Sequence, residues 1–319
     1  MLASISLDLD NKWSYMKTHG DAGWESFPSY LELLVPRVLD LLDEFNLKIT
    51  FFIVGQDAAI ESNHRVLRQI SLRGHEVGNH SFHHEPWLHL YDRQQVIEEF
   101  ESSERAIQQA TGETPQGFRG PGFSYSPTVL SVLRDRKYIY DCSTFPTFLG
   151  PLARMYYFLH SGLGRSERDK RKQLFGDWNA GFQSLRPYWW QINGTECVTS
   201  RSRSATGLLE IPVTTMPWLK VPIHLSYVMY LATYSKMIAK SYFYNAMRFC
   251  WINRVQPSLL LHPLDFLGCD DESDLYFFPG MSLRSHAKLN VAKDVLGWMS
   301  RKFQCVTMLE HAEAMGRDA

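Results

Sequence analysis

The chain has 319 residues, enough for one large domain or two ordinary ones, and its 45% apolar and 21% charged residues are the mixture of a soluble protein with a sizeable core. Its 33 basic and 34 acidic residues leave a net charge of -1, which excludes an overall positive field for holding nucleic acid. No window offers the roughly 18 apolar residues of a membrane span, and MLASISLDLD has neither the basic leader nor the apolar length of an export signal, so a cytoplasmic protein is expected.

Taken in chain order, Ala3–Leu9 reads as a buried strand. Residues 30–46 place Leu33, Leu34, Val38, Leu41, Leu42 and Phe45 at helical spacing, with Pro36 as a kink. ITFFIVG, Ile49–Gly55, is a short apolar run closed by glycine, and completes a β-α-β crossover. Helices follow over 60–73 and 93–111, with strands near Glu76–Gly78, Gly117–Arg119, Tyr138–Tyr140, Leu208–Pro212, Ser258–Leu261 and Cys305–Thr307. Strands alternating with helices predict an α/β protein, an irregular (β/α) barrel of about seven strands forming one domain over 1–319. Periodicity fails between about 145 and 206, which reads as an insertion with a charged run at Arg165–Lys172 and aromatic clusters at Tyr156–Phe158 and Tyr188–Trp190. Cys142, Cys197, Cys250, Cys269 and Cys305 are too scattered for a structural zinc site and are expected to be free thiols.

Five of the twelve histidines, His75, His80, His83, His84 and His89, fall within 75–89. His80 and His84 are four apart, so a helical turn would send both imidazoles to one ion. SLDLDN supplies a third ligand type: Asp8 and Asp10 leave the same side of the strand at its C-terminal end, where barrels build their active sites. One carboxylate and two imidazoles leave coordination positions open, which is the pattern of a catalytic metal. Three later segments also set titratable groups after apolar runs: GFRGPGFS with Arg119, YDCS with Asp141 and LLLHPLD with His262.

These motifs, in this order, resemble those of the polysaccharide deacetylases of carbohydrate esterase family 4. The resemblance implies Asp8 as base and Asp10 as metal ligand, with His80 and His84 from HSFHH completing the ligand set. It further implies Arg119 of RGPG holding the base, His262 of LLLHP as general acid, and Gly122 with Phe123 at the oxyanion and substrate side. The chain has Gly122 where the family commonly has tyrosine, and YDCSTF lacks the family's Asp-Trp pair. Asp141 is the candidate for orienting the acid histidine, with Asp265 as its competitor. The implied cofactor is one divalent ion, zinc being best suited to this ligand set, though cobalt, nickel or iron could use it. The implied reaction is hydrolysis of the acetamide of an amino sugar, in a glycan or a lipid-linked sugar, by water held on the ion.

Two other readings compete: hydrolysis of a small non-sugar amide or cyclic ureide, and a glycan-binding protein without catalysis. The segment 217–251 is rich in tyrosine, tryptophan and phenylalanine interleaved with Lys220, Lys236, Lys240 and Arg248. It reads either as a helix pair packed on the barrel or as a contact for a lipid tail or the inner membrane leaflet.

Overall fold

The structure, a computed structural model, describes residues 1–150, 178–193, 196–202 and 207–317. Strand β1 (Leu2–Leu9) sets the arrangement, because its side chains alternate with period two. Ala3, Ile5, Leu7 and Leu9 join the large core formed with the helices. Ser4, Ser6 and Asp8 face the other way and bond to His311 and Arg119. A strand buried on both faces in this manner belongs at the centre of a parallel sheet.

Its neighbours are β2 (Thr50–Ile53), β9 (Ser258–Leu261) and β10 (Gln304–Val306), all parallel to it. From β2 the parallel order continues through β3 (Glu76–Asn79), β4 (Gly117–Phe118), β5 (Tyr140–Asp141) and β8 (Gly207–Glu210). An antiparallel ribbon, β6 (Tyr188–Asn193) and β7 (Glu196–Ser200), then extends the sheet beyond β8. The ribbon gives ordered structure to part of the predicted insertion, while Tyr156–Phe158 and Arg165–Lys172 lie outside the described residues.

The helices supply the crossovers that parallel strands require. They are α1 (Lys12–His19), α2 (Leu31–Asp43), α3 (Gly55–Ala58), α4 (His64–Leu72), α5 (Arg93–Thr111), α6 (Pro127–Asp135), α7 (Leu225–Tyr234), α8 (Lys236–Ile252), α9 (Ser285–Lys302) and α10 (Met308–Arg317). Helix α5 is bounded at one end by a capping box between Asp92 and Gln95 and at the other by Gly112 in the left-handed region.

The expected barrel is met by eight parallel strands whose ladder, among the described residues, is not continuous between β8 and β9. Two bonds bridge that gap: Thr214 N–H to the Ser258 carbonyl at 3.1 Å, and Ser258 N–H to the Thr214 hydroxyl at 2.8 Å. Inside the strands, Phe52, Tyr140, Cys142, Leu209 and Ile211 cluster with Met308 and Ala312 of α10. All five cysteines are free. Among the described residues no helix is long and apolar enough to cross a membrane.

The segment 217–251 folds as α7 and α8, a helical pair on the main core. Phe243, Met229 and Met247 are buried there, and the Tyr242 hydroxyl donates to the Pro222 carbonyl. Apolar side chains remain exposed at its two ends: Trp218, Leu219 and Trp251 at one, Tyr234, Met237 and Ile238 at the other.

Candidate metal centre and active site

Asp10, His80 and His84 are the group of described residues whose donor atoms converge, all within 4.8 Å of one another. Asp10 Oδ1 lies 2.9 Å from His84 Nε2 and 3.4 Å from His80 Nε2. Burial alone would raise the Asp10 carboxyl, but His84 and His80 outweigh it and hold it well below the usual carboxylate range. His80 is oriented from behind: its Nδ1–H donates to the Arg119 carbonyl at 2.6 Å, which leaves the Nε2 lone pair for an ion.

The two imidazoles do not share a helical turn. Residues 80–86 form an irregular loop after β3, with Ser81 (φ 60°) and His84 (φ 53°) in the left-handed region. That path brings the rings to a centroid separation of 5.0 Å. Glu99 of α5 pins the loop, accepting the Phe82 and His83 amides at 2.8 and 3.1 Å and contacting His83 Nδ1. His83 is thereby a loop anchor. His75 is structural, accepting the Ile49 amide, and burial pushes its pKa down to about 4.

Asp8 lies beside this centre with Arg119 at its back: Nη1 donates to Asp8 Oδ1 at 2.7 Å and to Ser6 Oγ at 2.9 Å. The Arg119 side chain is fully buried, its guanidinium 4.5 Å from the Phe52 ring. The following turn needs glycine. A Cβ on Gly120 would meet the Ser124 carbonyl oxygen at 2.0 Å, and Gly122 and Phe123 both have positive φ. The Phe123 and Ser124 amides close the turn onto Gly120 and Pro121. Phe123 stacks on Phe145 with centroids 4.7 Å apart, and Phe145 meets the edge of His224.

Asp141 is placed differently from its expected role as orienter of an imidazole. Strand register sets it opposite Glu210, and its Oδ1 accepts from Ser143, whose hydroxyl in turn accepts the Gly120 amide at 2.8 Å. The described partners of Asp141 include no histidine; the residue braces the turn carrying Gly122. His262 instead neighbours Asp265, which accepts the His262 amide at 2.8 Å, and Ser226, whose Oγ lies 3.0 Å from Nδ1.

A cleft of about 750 Å³ opens between α1 and the histidine loop, lined by Trp13, Trp24, Trp87, Lys17, Glu85 and Gln56 among others. The Trp13 ring, one wall of the cleft, stands edge-on to His84 at 6.4 Å, while Asp10, His80 and His84 are not themselves among the lining residues. Trp13 is fixed by its indole N–H to Asp57 Oδ1 at 2.9 Å, and Asn11 donates to the same oxygen at 2.7 Å. Glu99, Ser226, Glu210 and Asp57 carry no sequence signal, because each acts through a partner distant in the chain.

Residues 21–140 match the family model described as polysaccharide deacetylase. Curated relatives include a peptidoglycan deacetylase of Helicobacter pylori, 27% identical over 150 residues, covering 45% of this chain and 49% of that one. Another is a peptidoglycan-N-acetylmuramic acid deacetylase of Bacillus subtilis, 33% identical over 96 residues, covering 30% and 35%. The chain thus spans about a third to a half of the length of these relatives. Among solved structures, a Mycobacterium smegmatis chain assigned as a polysaccharide deacetylase superposes with a TM-score of 0.59 at 17% identity, covering 99% of this chain and 91% of that one. Puue allantoinase gives 0.55 at 16% identity, covering 98% and 89%. Both show a shared fold.

Proposed function

The chain belongs to the polysaccharide deacetylase family over residues 21–140, and from that premise we propose that it is a metal-dependent hydrolase removing the acetyl group from an N-acetylated amino sugar. The convergence of Asp10, His80 and His84 carries this reading. The donor set suits a divalent ion: one buried carboxylate, one imidazole whose Nε2 is freed by a backbone acceptor, and a second imidazole beside it. Zinc fits it best, and cobalt, nickel or iron have compatible chemistry. When bound, the ion would polarise the amide carbonyl and acidify a water.

The chain's own groups then divide the proton work. Asp8, held by Arg119, takes the proton from the attacking water; His262 delivers one to the departing amine nitrogen, so that acetate and a free amine leave. The Gly122 amide, at the crest of a turn braced by Ser143 and Asp141, faces the charge developing on the carbonyl oxygen.

The cleft beside His84 favours a saccharide over a small ureide. Indole faces suit the apolar faces of a sugar ring, and Lys17, Glu85 and Gln56 suit its hydroxyls, whereas a ureide would fill a small part of about 750 Å³. Acetate release from N-acetylglucosamine oligomers and lipid-linked N-acetyl sugars, measured beside hydrolysis of allantoin, tests the assignment. Turnover of allantoin alone, or metal-loaded protein that binds glycans without turnover, would overturn it.

A second reading concerns location. Tyr234, Met237 and Ile238, beside Lys236 at the α7–α8 tip, are 72%, 82% and 59% exposed and favour peripheral contact with an anionic bilayer.

A further inference from the structure

Helix α7 starts beside His262. Ser226 in its first turn places Oγ 3.0 Å from His262 Nδ1, and the ring of His224, the N-cap residue, stands edge-on to His262 with centroids 5.9 Å apart. From His224 a file of rings continues outward along the helix. Tyr227 lies 6.2 Å from His224, Tyr230 6.4 Å from Tyr227, and Tyr234 5.4 Å from Tyr230. Spacings of three and four residues keep these rings on one side of the helix. The core is built by other residues of α7: Leu225, Val228, Met229 and Ala232. Exposure grows with distance from His262: His224 and Tyr227 are half-buried, Tyr230 is 37% exposed and Tyr234 72%.

The file is held in place. Tyr227 packs at 5.7 Å against Tyr242 of α8, whose hydroxyl donates to the Pro222 carbonyl at 2.7 Å, and the hydroxyls of Tyr230 and Tyr234 meet at 3.0 Å. It is also uncharged. LSYVMYLATY contains no Asp, Glu, Lys or Arg; burial first, and His262 second, push the His224 pKa down to about 3, so that ring is neutral. A bilayer-docking face sets basic residues among its apolar ones, and a charged partner calls for an opposite charge. A row of tyrosines instead offers flat apolar faces edged with hydroxyls, at small conformational cost. A neutral saccharide has the matching surface. Between Tyr227 and Tyr234 the helix rises about 10 Å, more than one sugar ring covers. We propose that His224, Tyr227, Tyr230 and Tyr234 form a binding track for an oligosaccharide, seating the sugars that lie beyond the one whose amide is cut. The inference rests on the saccharide reading of the site, and makes the substrate a chain rather than a single sugar. The exposed Met237 and Ile238, on α8, take no part in it.

The test uses the full-length zinc-loaded protein and N-acetylglucosamine oligomers of two and of five units. Binding is read by calorimetry in the Asp8→Asn background, and KM for acetate release by the unmodified enzyme is the second measure. The longer oligomer should bind roughly tenfold more tightly than the shorter, the gain expected of two ring contacts. Tyr230→Ala with Tyr234→Ala should remove that gain, whereas Tyr230→Phe with Tyr234→Phe should keep it. Tyr230→Leu with Tyr234→Leu preserves apolar area without a flat face and should also lose it. Both rings are exposed, so all these variants should keep the fold. Equal affinity for the two oligomers, or undiminished affinity for the longer one in the leucine variant, overturns the track even if acetate is released. Undiminished oligomer binding by the alanine variant, with weaker sedimentation on anionic liposomes, overturns it in favour of a bilayer contact. Ring-dependent binding of the longer oligomer by a protein that releases no acetate supports the track and sinks the deacetylase reading instead.

Discussion

Arg119 is a guanidinium enclosed wholly by protein. Burial works against its charge, but the Asp8 carboxylate more than reverses that, and the side chain stays protonated. Removing one member of such a pair is costlier than the pair's own worth, since the other charge stays buried without a partner. Arg119→Met should therefore destabilise the fold by about 3–5 kcal/mol in denaturant titration. A neutral result would mean that the guanidinium and carboxylate are hydrated in the folded chain. Asp8→Asn probes the chemistry at the same contact. It should retain the ion by elemental analysis while losing a factor of roughly 10²–10⁴ in kcat. His80→Ala or His84→Ala should instead release the ion itself, and full occupancy in the double variant would reassign the ligands. These residues were legible in the sequence because their order and spacing are local. Glu99 was not: its grip on the histidine loop spans 16 residues and depends on where α5 lies.

At the level of elements, strands β5 and β8 bring two carboxyls together in the interior. Burial, and then Asp141, push Glu210 well above the usual carboxylate range, while burial raises Asp141 against the lowering influence of Glu210 and Ser143. Acids with folded pKa values above their unfolded ones bind more protons in the folded state. Their stabilising effect is complete below the ordinary carboxylate pKa of about 4 and is lost as pH rises through the folded values. Glu210→Gln should flatten the decline of Tm above about pH 4.5; an unchanged slope would show that this pair shares no proton. The α7–α8 tip makes a separate prediction. Lys240 is paired with Asp294, so Lys236, Met237 and Ile238 are the informative positions. Met237→Ser with Ile238→Ser should reduce sedimentation with anionic liposomes and leave turnover of a water-soluble substrate intact; no binding by wild type removes the membrane reading. Helix α5 keeps the ends expected of it, 93–111, and its caps lie beside it in the chain, Asp92 with Gln95 before it and Gly112 after. Helix α1 was missed, since KWSYMKTH has no apolar periodicity and is held by the Asn11 cap and Gly20. The β6–β7 ribbon was missed because its pairing with β8 is antiparallel and interrupts the alternation.

On the scale of the whole molecule, the strand–helix alternation was readable, but the approach of the β8 and β9 sides was not. It depends on Thr214 meeting Ser258 and on α10 plugging the interior. Helix α10 caps that end through the Met308 amide to Thr50 at 2.8 Å, the Leu309 amide to Glu76 at 2.9 Å, and His311 to Ser4 at 2.9 Å. Removing residues 307–319 should lower Tm by more than the ~2–4 °C that one kcal/mol represents, and should expose the Phe52 cluster to a hydrophobic dye. A chain with unaltered Tm would show that the interior is sealed without the helix. The placement of β1 has a further consequence, for the order in which the molecule can assemble. The strand bearing Asp8 is made long before two of its partners, β9 and β10, whose Ser258 and Gln304 pair with its Ser4 and Leu2. During synthesis that strand must wait with an unpaired edge until β9 and β10 have left the ribosome. Such pairing between segments far apart in sequence makes for slow folding and an interval open to aggregation. Chaperone protection of the waiting β1 strand, and ion uptake only after β9 and β10 have emerged, are the expected signatures.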